Sequence, residues 1–218
     1  GTFEVQSGQI DAYQFNNTGD SFITAGKVNV AGGTGTIAGT LTGAGTLSVS
    51  GGTLTVDGTA SIANYVQSGG TLNGSGTLAA TNTFNWTGGT MSGTGTTVVA
   101  AGATGTLNGP ANITQLYRTL DIRGTLDYAA TANNGSLQIY NGGHLKISSG
   151  GVLNLTTDGY LSYTYGSVGG LITNSGTIKK TGGTGSLKLG DASLASVHNE
   201  GGTFEVQSGQ IDAYQFNN

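Results

Sequence analysis

Short segments of alternating apolar and polar residues recur along the chain, each followed by two glycines and a threonine. Leu47-Ser48-Val49, for example, leads into Gly51-Gly52-Thr53. Such alternation is typical of a β-strand with one buried face, and glycine permits the positive φ that a sharp corner needs. The second glycines of four such motifs stand at positions 33, 52, 70 and 89, so consecutive motifs are spaced by 19, 18 and 19. The pattern predicts short strands joined by glycine corners.

Repetition of the motif about every 19 residues predicts that these strands coil into a solenoid. Strands this short cannot bury an apolar face alone, but three of them with their corners form one rung, and each strand then pairs in parallel with its counterpart in the next rung. We therefore expect an all-β fold, a right-handed parallel β-helix (β-solenoid) with about 19 residues per rung. A β-sandwich also has short strands but does not explain this step. The same step separates three later pairs of glycines: Gly124 and Gly143, Gly151 and Gly170, and Gly183 and Gly202.

A second, longer repeat encloses the first. Residues 1–17 and 202–218 have the same sequence, GTFEVQSGQIDAYQFNN, at an offset of 201 residues. We interpret 1–201 as one full tandem repeat unit, which holds roughly ten rungs at the spacing of the glycine motifs, and 202–218 as the start of the next identical repeat. The periodicity is weakest over residues 97–136, and strand positions are least defined there.

Composition narrows the class of protein. Glycine supplies 42 of the 218 residues and proline one, so collagen is excluded because it needs abundant proline and glycine at every third position. Only 8% of the residues are charged and the net charge is −4, which leaves no basic surface for nucleic acid. The chain has no cysteine and no long uninterrupted apolar run, so we expect no disulfide and no membrane span in this segment.

Three stretches resemble the repeats of very large bacterial surface proteins. They are residues 82–96 (NTFNWTGGTMSGTGT), 172–185 (ITNSGTIKKTGGTG) and 202–211 (GTFEVQSGQI). The class they resemble is the filamentous-haemagglutinin-like and autotransporter-type β-solenoid adhesins. The resemblance implies an extracellular or cell-surface location and a rod-like role. It implies no catalytic residue, because the shared motifs are those of the scaffold.

The first functional hypothesis is therefore structural: an extracellular fibre or stalk of tandem solenoid repeats, serving adhesion, sheath or matrix formation. Its partners are further copies stacked head to tail, with lateral fibre contacts or surface glycans. A second hypothesis is an adhesin that binds glycans through an exposed face of tyrosine and asparagine. Tyr160, Tyr163 and Tyr165 are the candidate residues for a glycan or lateral contact, although clustered aromatics are equally typical of core layers.

A third hypothesis is a polysaccharide lyase or hydrolase, because such enzymes also use parallel β-helices. Asp121 and Arg123 alternate on one strand face, with Arg118 and Asp127 nearby. We interpret them as a surface ion pair of little energetic weight, and we predict no enzyme and no catalytic, cofactor-binding or metal-binding residue. His144 and His198 have no metal-ligand spacing. Thr-x-Thr pairs such as those at 34–36, 40–42, 53–55 and 81–83 are too unevenly spaced to predict a regular hydroxyl array.

Overall fold

A computed structural model describes residues 3–109, 114–129, 137–140, 142–161, 170–189 and 195–218. These residues form β-strands and no helix. The strands are β1 (Phe3–Val5), β2 (Gln9–Asn17), β3 (Asp20–Ile23), β4 (Lys27–Ile37), β5 (Thr40–Val49), β6 (Thr53–Val56), β7 (Thr59–Gln67), β8 (Thr71–Asn73), β9 (Thr77–Trp86), β10 (Gly89–Met91), β11 (Thr96–Val99), β12 (Thr104–Leu107), β13 (Thr114–Leu116), β14 (Thr119–Ile122), β15 (Thr125–Tyr128), β16 (Leu137–Ile139), β17 (His144–Ile147), β18 (Val152–Leu155), β19 (Gly159–Tyr160), β20 (Gly170–Asn174), β21 (Thr177–Lys180), β22 (Ser186–Leu189), β23 (Ala195–Asn199), β24 (Thr203–Val206), β25 (Gln210–Ala213) and β26 (Phe216–Asn217).

The strands wind around one axis on three sides, and every pairing among the described strands is parallel. Side 1 carries β1, β3, the first parts of β5, β7 and β9, and then β11, β14, β17, β20, β23 and β26. Side 2 carries the first parts of β2 and β4, the second parts of β5, β7 and β9, and then β12, β15, β18, β21 and β24. Side 3 carries the ends of β2 and β4, then β6, β8, β10, β13 and β16, and finally the separate sheet of β19, β22 and β25.

This arrangement confirms the predicted parallel β-solenoid, with about nine turns of roughly 20 residues. The first residues on side 1 align in the order Thr40, Thr59, Thr77, Thr96, Thr119, His144, Leu171 and Ser196. Along this column the sequence number increases by 19, 18, 19, 23, 25, 27 and then 25. The turns therefore lengthen after Thr96, where the sequence pattern is weakest.

The later glycine pairs are not separated by whole turns, and their interpretation as rungs was wrong. Gly124 precedes a strand on side 2, whereas Gly143 precedes a strand on side 1. The 19 residues between them therefore cover two of the three sides and not a whole turn. The physical reason is that corners in this half of the chain are longer, which changes the number of residues between equivalent positions.

The core consists of inward side chains that stack in columns along the axis. On side 2, Leu47, Tyr65 and Phe84 follow one another in register, and the rings of Tyr65 and Phe84 stack at 5.8 Å. Trp86 is fully buried and donates from Nε1 to the carbonyl of Gly88 at 3.0 Å. A buried side chain of this kind contributes about 1.5 to 3 kcal/mol of hydrophobic stabilisation. The columns form one continuous apolar core from end to end.

Glycines form a column of their own at the corner between sides 2 and 3. The predicted corner residues Gly33, Gly52, Gly70 and Gly89 have φ of +61°, +64°, +62° and +88°. A Cβ on Gly70 would lie 2.6 Å from the carbonyl oxygen of Gly52, because adjacent corners approach backbone to backbone. The predicted positive φ at these glycines is confirmed, and the structure adds a second reason for glycine, which is the lack of space for a Cβ.

Candidate functional site

The tyrosine candidates fall only partly within the described residues. Tyr160 lies in β19 on side 3 and is half-buried. Lys188 Nζ lies 5.0 Å from the centre of the Tyr160 ring and 3.2 Å from its hydroxyl, and the Tyr160 carbonyl accepts a hydrogen bond from the Tyr128 hydroxyl at 2.6 Å. Tyr163 and Tyr165 lie outside the described residues. A glycan or lateral contact through these three tyrosines remains a prediction.

A second tyrosine pair, which the sequence did not single out, stacks at the corner between sides 3 and 1. The rings of Tyr117 and Tyr140 are 4.5 Å apart and tilted by 2°. Tyr140 donates from its hydroxyl to Gln138 Oε1 at 2.7 Å, and burial raises the pKa of Tyr117. The two tyrosines directly follow Leu116 and Ile139, which are in register on adjoining strands. The sequence would have revealed the pair only if the number of residues per turn in this part of the solenoid had been known.

The acidic and basic residues of the lyase hypothesis do not converge. Arg123 Nε and Asp121 Oδ2 form the expected ion pair at 2.8 Å. It is not a surface pair, because Asp121 is only 2% exposed and also accepts a hydrogen bond from Ser148 Oγ at 2.6 Å. Asp127 lies on side 2, where its Oδ1 accepts from Asn154 Nδ2 at 3.0 Å. Arg118 is buried and donates to the carbonyls of Ser92 and Gly76, each at 3.1 Å. The four side chains thus belong to three separate environments.

The two histidines occupy different rows of side 1. His144 Nε2 lies 2.9 Å from Thr173 Oγ1, and burial, with a contribution from Lys146, lowers the pKa of His144. His198 is in register with Thr173 and Asn217. Within the described ranges, no three His, Asp or Glu side chains gather where they could hold a metal ion. The same part of the chain contains no helix long and apolar enough to cross a membrane.

The four Thr-x-Thr pairs named from the sequence are distributed over two sides and a corner. Residues 34–36 and 53–55 stack directly on side 3, so two of the pairs are aligned after all. Residues 71–73 and 90–92 continue these rows with Thr71, Asn73, Thr90 and Ser92. Residues 40–42 lie on side 1 and 81–83 span a corner. Single threonines are also aligned on side 1, from Thr40 to Thr119, but the paired Thr-x-Thr rows on side 3 extend over only two turns.

Apolar side chains are exposed at the C-terminal end of the solenoid. Phe204, Val206, Ile211, Ala213 and Phe216 line a concave patch there, with Val206 49% and Phe216 46% exposed. Among the described residues, no further strand pairs with the outer backbone groups of the last turn. An open sheet edge of this kind pairs readily with another strand.

The N-terminal end presents the same residue types. Ile10 is 40% exposed, and Phe3 and Phe15 are half-buried against the core. Because residues 1–17 and 202–218 are identical, the same inward side chains build the layer at both ends. The duplication of this segment was visible in the sequence, but the exposure of its apolar side chains at the two ends was not.

Comparisons of the chain with protein-family models, with curated proteins and with solved structures found no match. The fold and its two ends therefore carry the functional argument.

Proposed function

We propose that the chain is a repeat unit of a structural extracellular fibre or stalk, in which the solenoid continues head to tail through further copies. The fibre serves adhesion, sheath or matrix formation and has no catalytic role. The single observation that carries the proposal is that two segments of identical sequence form the first and last turns of the described solenoid, and that each exposes apolar side chains there. A further copy is the partner that matches such an end in backbone spacing and in side chains.

The outer surface is compatible with a hydrated rod. Polar side chains bridge successive turns, as in the bonds from Asn29 Nδ2 to Asp11 Oδ1 at 2.7 Å and from Thr181 Oγ1 to Asn154 Oδ1 at 2.7 Å. Such bridges pair polar side chains of neighbouring turns with one another. The extracellular location and the kinship with filamentous-haemagglutinin-like or autotransporter-type adhesins rest on the sequence resemblance and belong to the proposal.

Electron microscopy of a longer chain tests the proposal. We would express one, two and three copies of residues 1–201, each followed by residues 202–218, and image them by negative stain and cryo-microscopy. We expect single thin rods whose length grows in proportion to copy number, with a layer line near about 4.8 Å from strand spacing. Strings of separate particles, with flexible gaps between copies, would overturn the fibre.

Glycan binding is a second candidate, because Tyr117 and Tyr140 stack on each other at one corner, where both side chains are partly exposed. Aromatic faces contribute large contact areas with little loss of side-chain freedom. Titration of the chain with soluble oligosaccharides, followed by NMR, tests this role. We expect Tyr117→Ala and Tyr140→Ala to abolish the shifts, whereas Tyr13→Ala, which alters a tyrosine 72% exposed elsewhere, leaves them unchanged. Equal binding by all variants excludes the pair.

A further inference from the structure

The two identical segments lie on different sides of the solenoid. In the first segment Phe3 is on side 1, Ile10 on side 2 and Phe15 on side 3. In the second segment Phe204, the counterpart of Phe3, is on side 2 in the column of Ile10. Phe216, the counterpart of Phe15, is on side 1.

The shift can be counted in turns. On side 1, nine turns separate Phe3 from Val197 in the column of inward positions. Its members on successive turns are Phe3, Ser21, Leu41, Ala60, Leu78, Thr97, Leu120, Leu145, Ile172 and Val197. Phe204 follows one strand later, on side 2. The repeat period therefore covers nine turns and one of three sides.

We propose that each repeat advances the solenoid by nine and one third turns, so that every copy starts on the next side and the array has a three-fold screw. The proposal rests on the proposed function, because it concerns copies joined in one continuous rod. Three copies complete 28 turns, since three times nine and one third is 28, and the fourth copy returns to the side of the first.

The same internal packing in both segments supports this arrangement. The rings of Phe3 and Phe15 are 5.6 Å apart, and those of Phe204 and Phe216 are 5.5 Å apart. Each ring pair joins the first and the third side that its segment occupies. The two segments thus keep this ring contact on two different pairs of sides, although their backbones differ at one corner, where Gln215 has φ +48° and its counterpart Gln14 has no positive φ.

The two ends show complementary halves of the junction. Val5 is 4% exposed because Ile23 covers it from the following turn. Its counterpart Val206 is 49% exposed and is in register with Lys180 of the preceding turn. Ile211 is in register with Leu187 before it, and its counterpart Ile10 is in register with Val28 after it. A segment placed between two copies would therefore be covered from both directions.

A column of asparagines joins the second segment to the turns that precede it. Asn174 Nδ2 donates to Asn199 Oδ1 at 3.0 Å, and Asn199 Nδ2 donates to Asn218 Oδ1 at 2.7 Å. Asn174 also accepts from the backbone N–H of Gly176 at 3.2 Å, as Asn17 does from Gly19 at 3.2 Å. Asn218 is the counterpart of Asn17, so the next copy would place the same asparagine corner directly on the column.

The rotation has a direct consequence for the surface of the fibre. A feature on one side of one copy, such as the stacked Tyr117 and Tyr140, appears on the next side in the following copy. With a rise of about 4.8 Å per turn, one copy is about 45 Å long and the full screw about 134 Å. The fibre offers equivalent contacts in three directions.

Engineered disulfides test the position of the second segment, because the chain has no cysteine of its own that could interfere. In the rotated arrangement Glu205 pairs with Lys179 on side 2, and their side chains approach to 3.5 Å. Had the second segment started on side 1 as the first does, Glu205 would instead align with Thr173, in the row of Glu4. Neighbouring parallel strands place such residues within disulfide range.

We would oxidise three double variants and locate the cross-links by mass spectrometry. We expect Lys179→Cys with Glu205→Cys to close at least tenfold faster than Thr173→Cys with Glu205→Cys. Asp127→Cys with Asn154→Cys, a pair in the same row of side 2, is the positive control. Closure of the Thr173 pair at a rate within tenfold of the Lys179 pair, or closure of neither pair while the control closes, overturns the rotation.

Imaging of the three-copy chain tests the rotation independently of the fibre. A helical reconstruction is expected to superpose successive copies after an advance of about 45 Å and a step of one side. Continuous rods whose copies all present the same side would retain the fibre and exclude the screw. Separate particles together with a closed Lys179–Glu205 cross-link would exclude the fibre and retain the position of the segment.

Discussion

Arg118 Nη2 donates a hydrogen bond to the carbonyl oxygen of Gly76, which is 3.1 Å away and two turns earlier in the solenoid. The same guanidinium donates from Nη1 to the carbonyl of Ser92 at 3.1 Å, so one side chain joins three successive turns. Among the described residues no carboxylate forms an ion pair with it, and burial lowers the pKa of Arg118 to about 10. The folded state therefore holds the charged form less favourably than water does.

This environment predicts a small effect of an apolar replacement at Arg118. We expect Arg118→Met to change the free energy of unfolding by less than about 1 kcal/mol, because loss of two hydrogen bonds is offset by removal of a buried cation. Gly76 keeps a second donor, the Thr96 N–H at 3.1 Å. Urea unfolding at neutral pH is the measurement. Arg118→Ala, which leaves a cavity, should cost about 2 to 5 kcal/mol; equal effects of both variants would contradict the account.

A buried pair on side 2 predicts strong coupling between two side chains. The Tyr65 hydroxyl donates to Gln67 Oε1 at 2.8 Å, and both residues are fully buried. Tyr65→Phe leaves the Gln67 oxygen unpaired, so we expect a loss of about 1 to 3 kcal/mol. Adding Gln67→Leu removes the unpaired oxygen and should recover part of this loss. A double-mutant cycle by urea unfolding measures the coupling, and simple additivity would refute it.

The asparagine column predicts a position-dependent cost of one substitution. Asn174 is fully buried and makes hydrogen bonds to Asn199, Thr203 and Gly176. We expect Asn174→Ala to cost about 1 to 3 kcal/mol, because these groups lose a buried partner. The control is Asn82→Ala at an exposed corner, which should stay within about 0.5 kcal/mol. Thermal unfolding of both variants checks the difference, and similar melting points would count against the column.

Two glycines with similar φ allow backbone strain to be separated from crowding. Gly70 has φ +62° and faces the Gly52 carbonyl, whereas Gly102 has φ +81° and nothing within 4 Å of its added Cβ. We expect Gly102→Ala to cost about 1 to 2 kcal/mol for the left-handed conformation alone. Gly70→Ala should cost more, because adjacent corners must also separate. Chemical denaturation of the two variants tests this order, and the reverse order would contradict it.

His144 predicts a loss of stability toward acid pH. Its pKa is lowered by burial first and by Lys146 second, while Glu200 and Asp121 raise it. As pH falls through the ordinary value of 6.5, the unfolded chain takes up a proton before the folded chain does, so stability falls until the pH is below the lowered pKa. His144→Thr, which extends the threonine column from Thr119, should reduce the drop in urea midpoint between pH 7.5 and pH 5. An unchanged drop would assign it to other groups.

The fold could be predicted because its periodic part repeats without insertions. From Thr40 to Thr96 the turns differ by one residue at most, and glycines mark the same corner each time. After Thr96 the corners lengthen, so sequence spacing no longer identifies equivalent positions. The one-third turn between copies depends on the sum of all these corner lengths, and no local pattern contains that sum.

The candidate site was less accessible to sequence reasoning, because side-chain direction at corners depends on tertiary packing. Arg118 lies three residues before Asp121 and was grouped with it, yet its side chain points into the core toward Gly76. Asp121 and Arg123 paired as predicted, because Arg123 directly follows the last residue of β14 and stays two positions from Asp121. Short-range periodicity was therefore informative within strands and uninformative across corners.

The hydrogen bonds between turns give the rod a particular mechanical response. Bonds such as Thr59 N–H to the carbonyl of Gly39, at 3.0 Å, join one turn to the next and therefore run along the axis. Tension applied at the two ends of the chain loads them singly and in succession. Each released turn adds roughly 60 to 95 Å of extended chain, depending on the length of its corners. The molecule would unreel under load in many small steps and could absorb work without breaking a covalent bond.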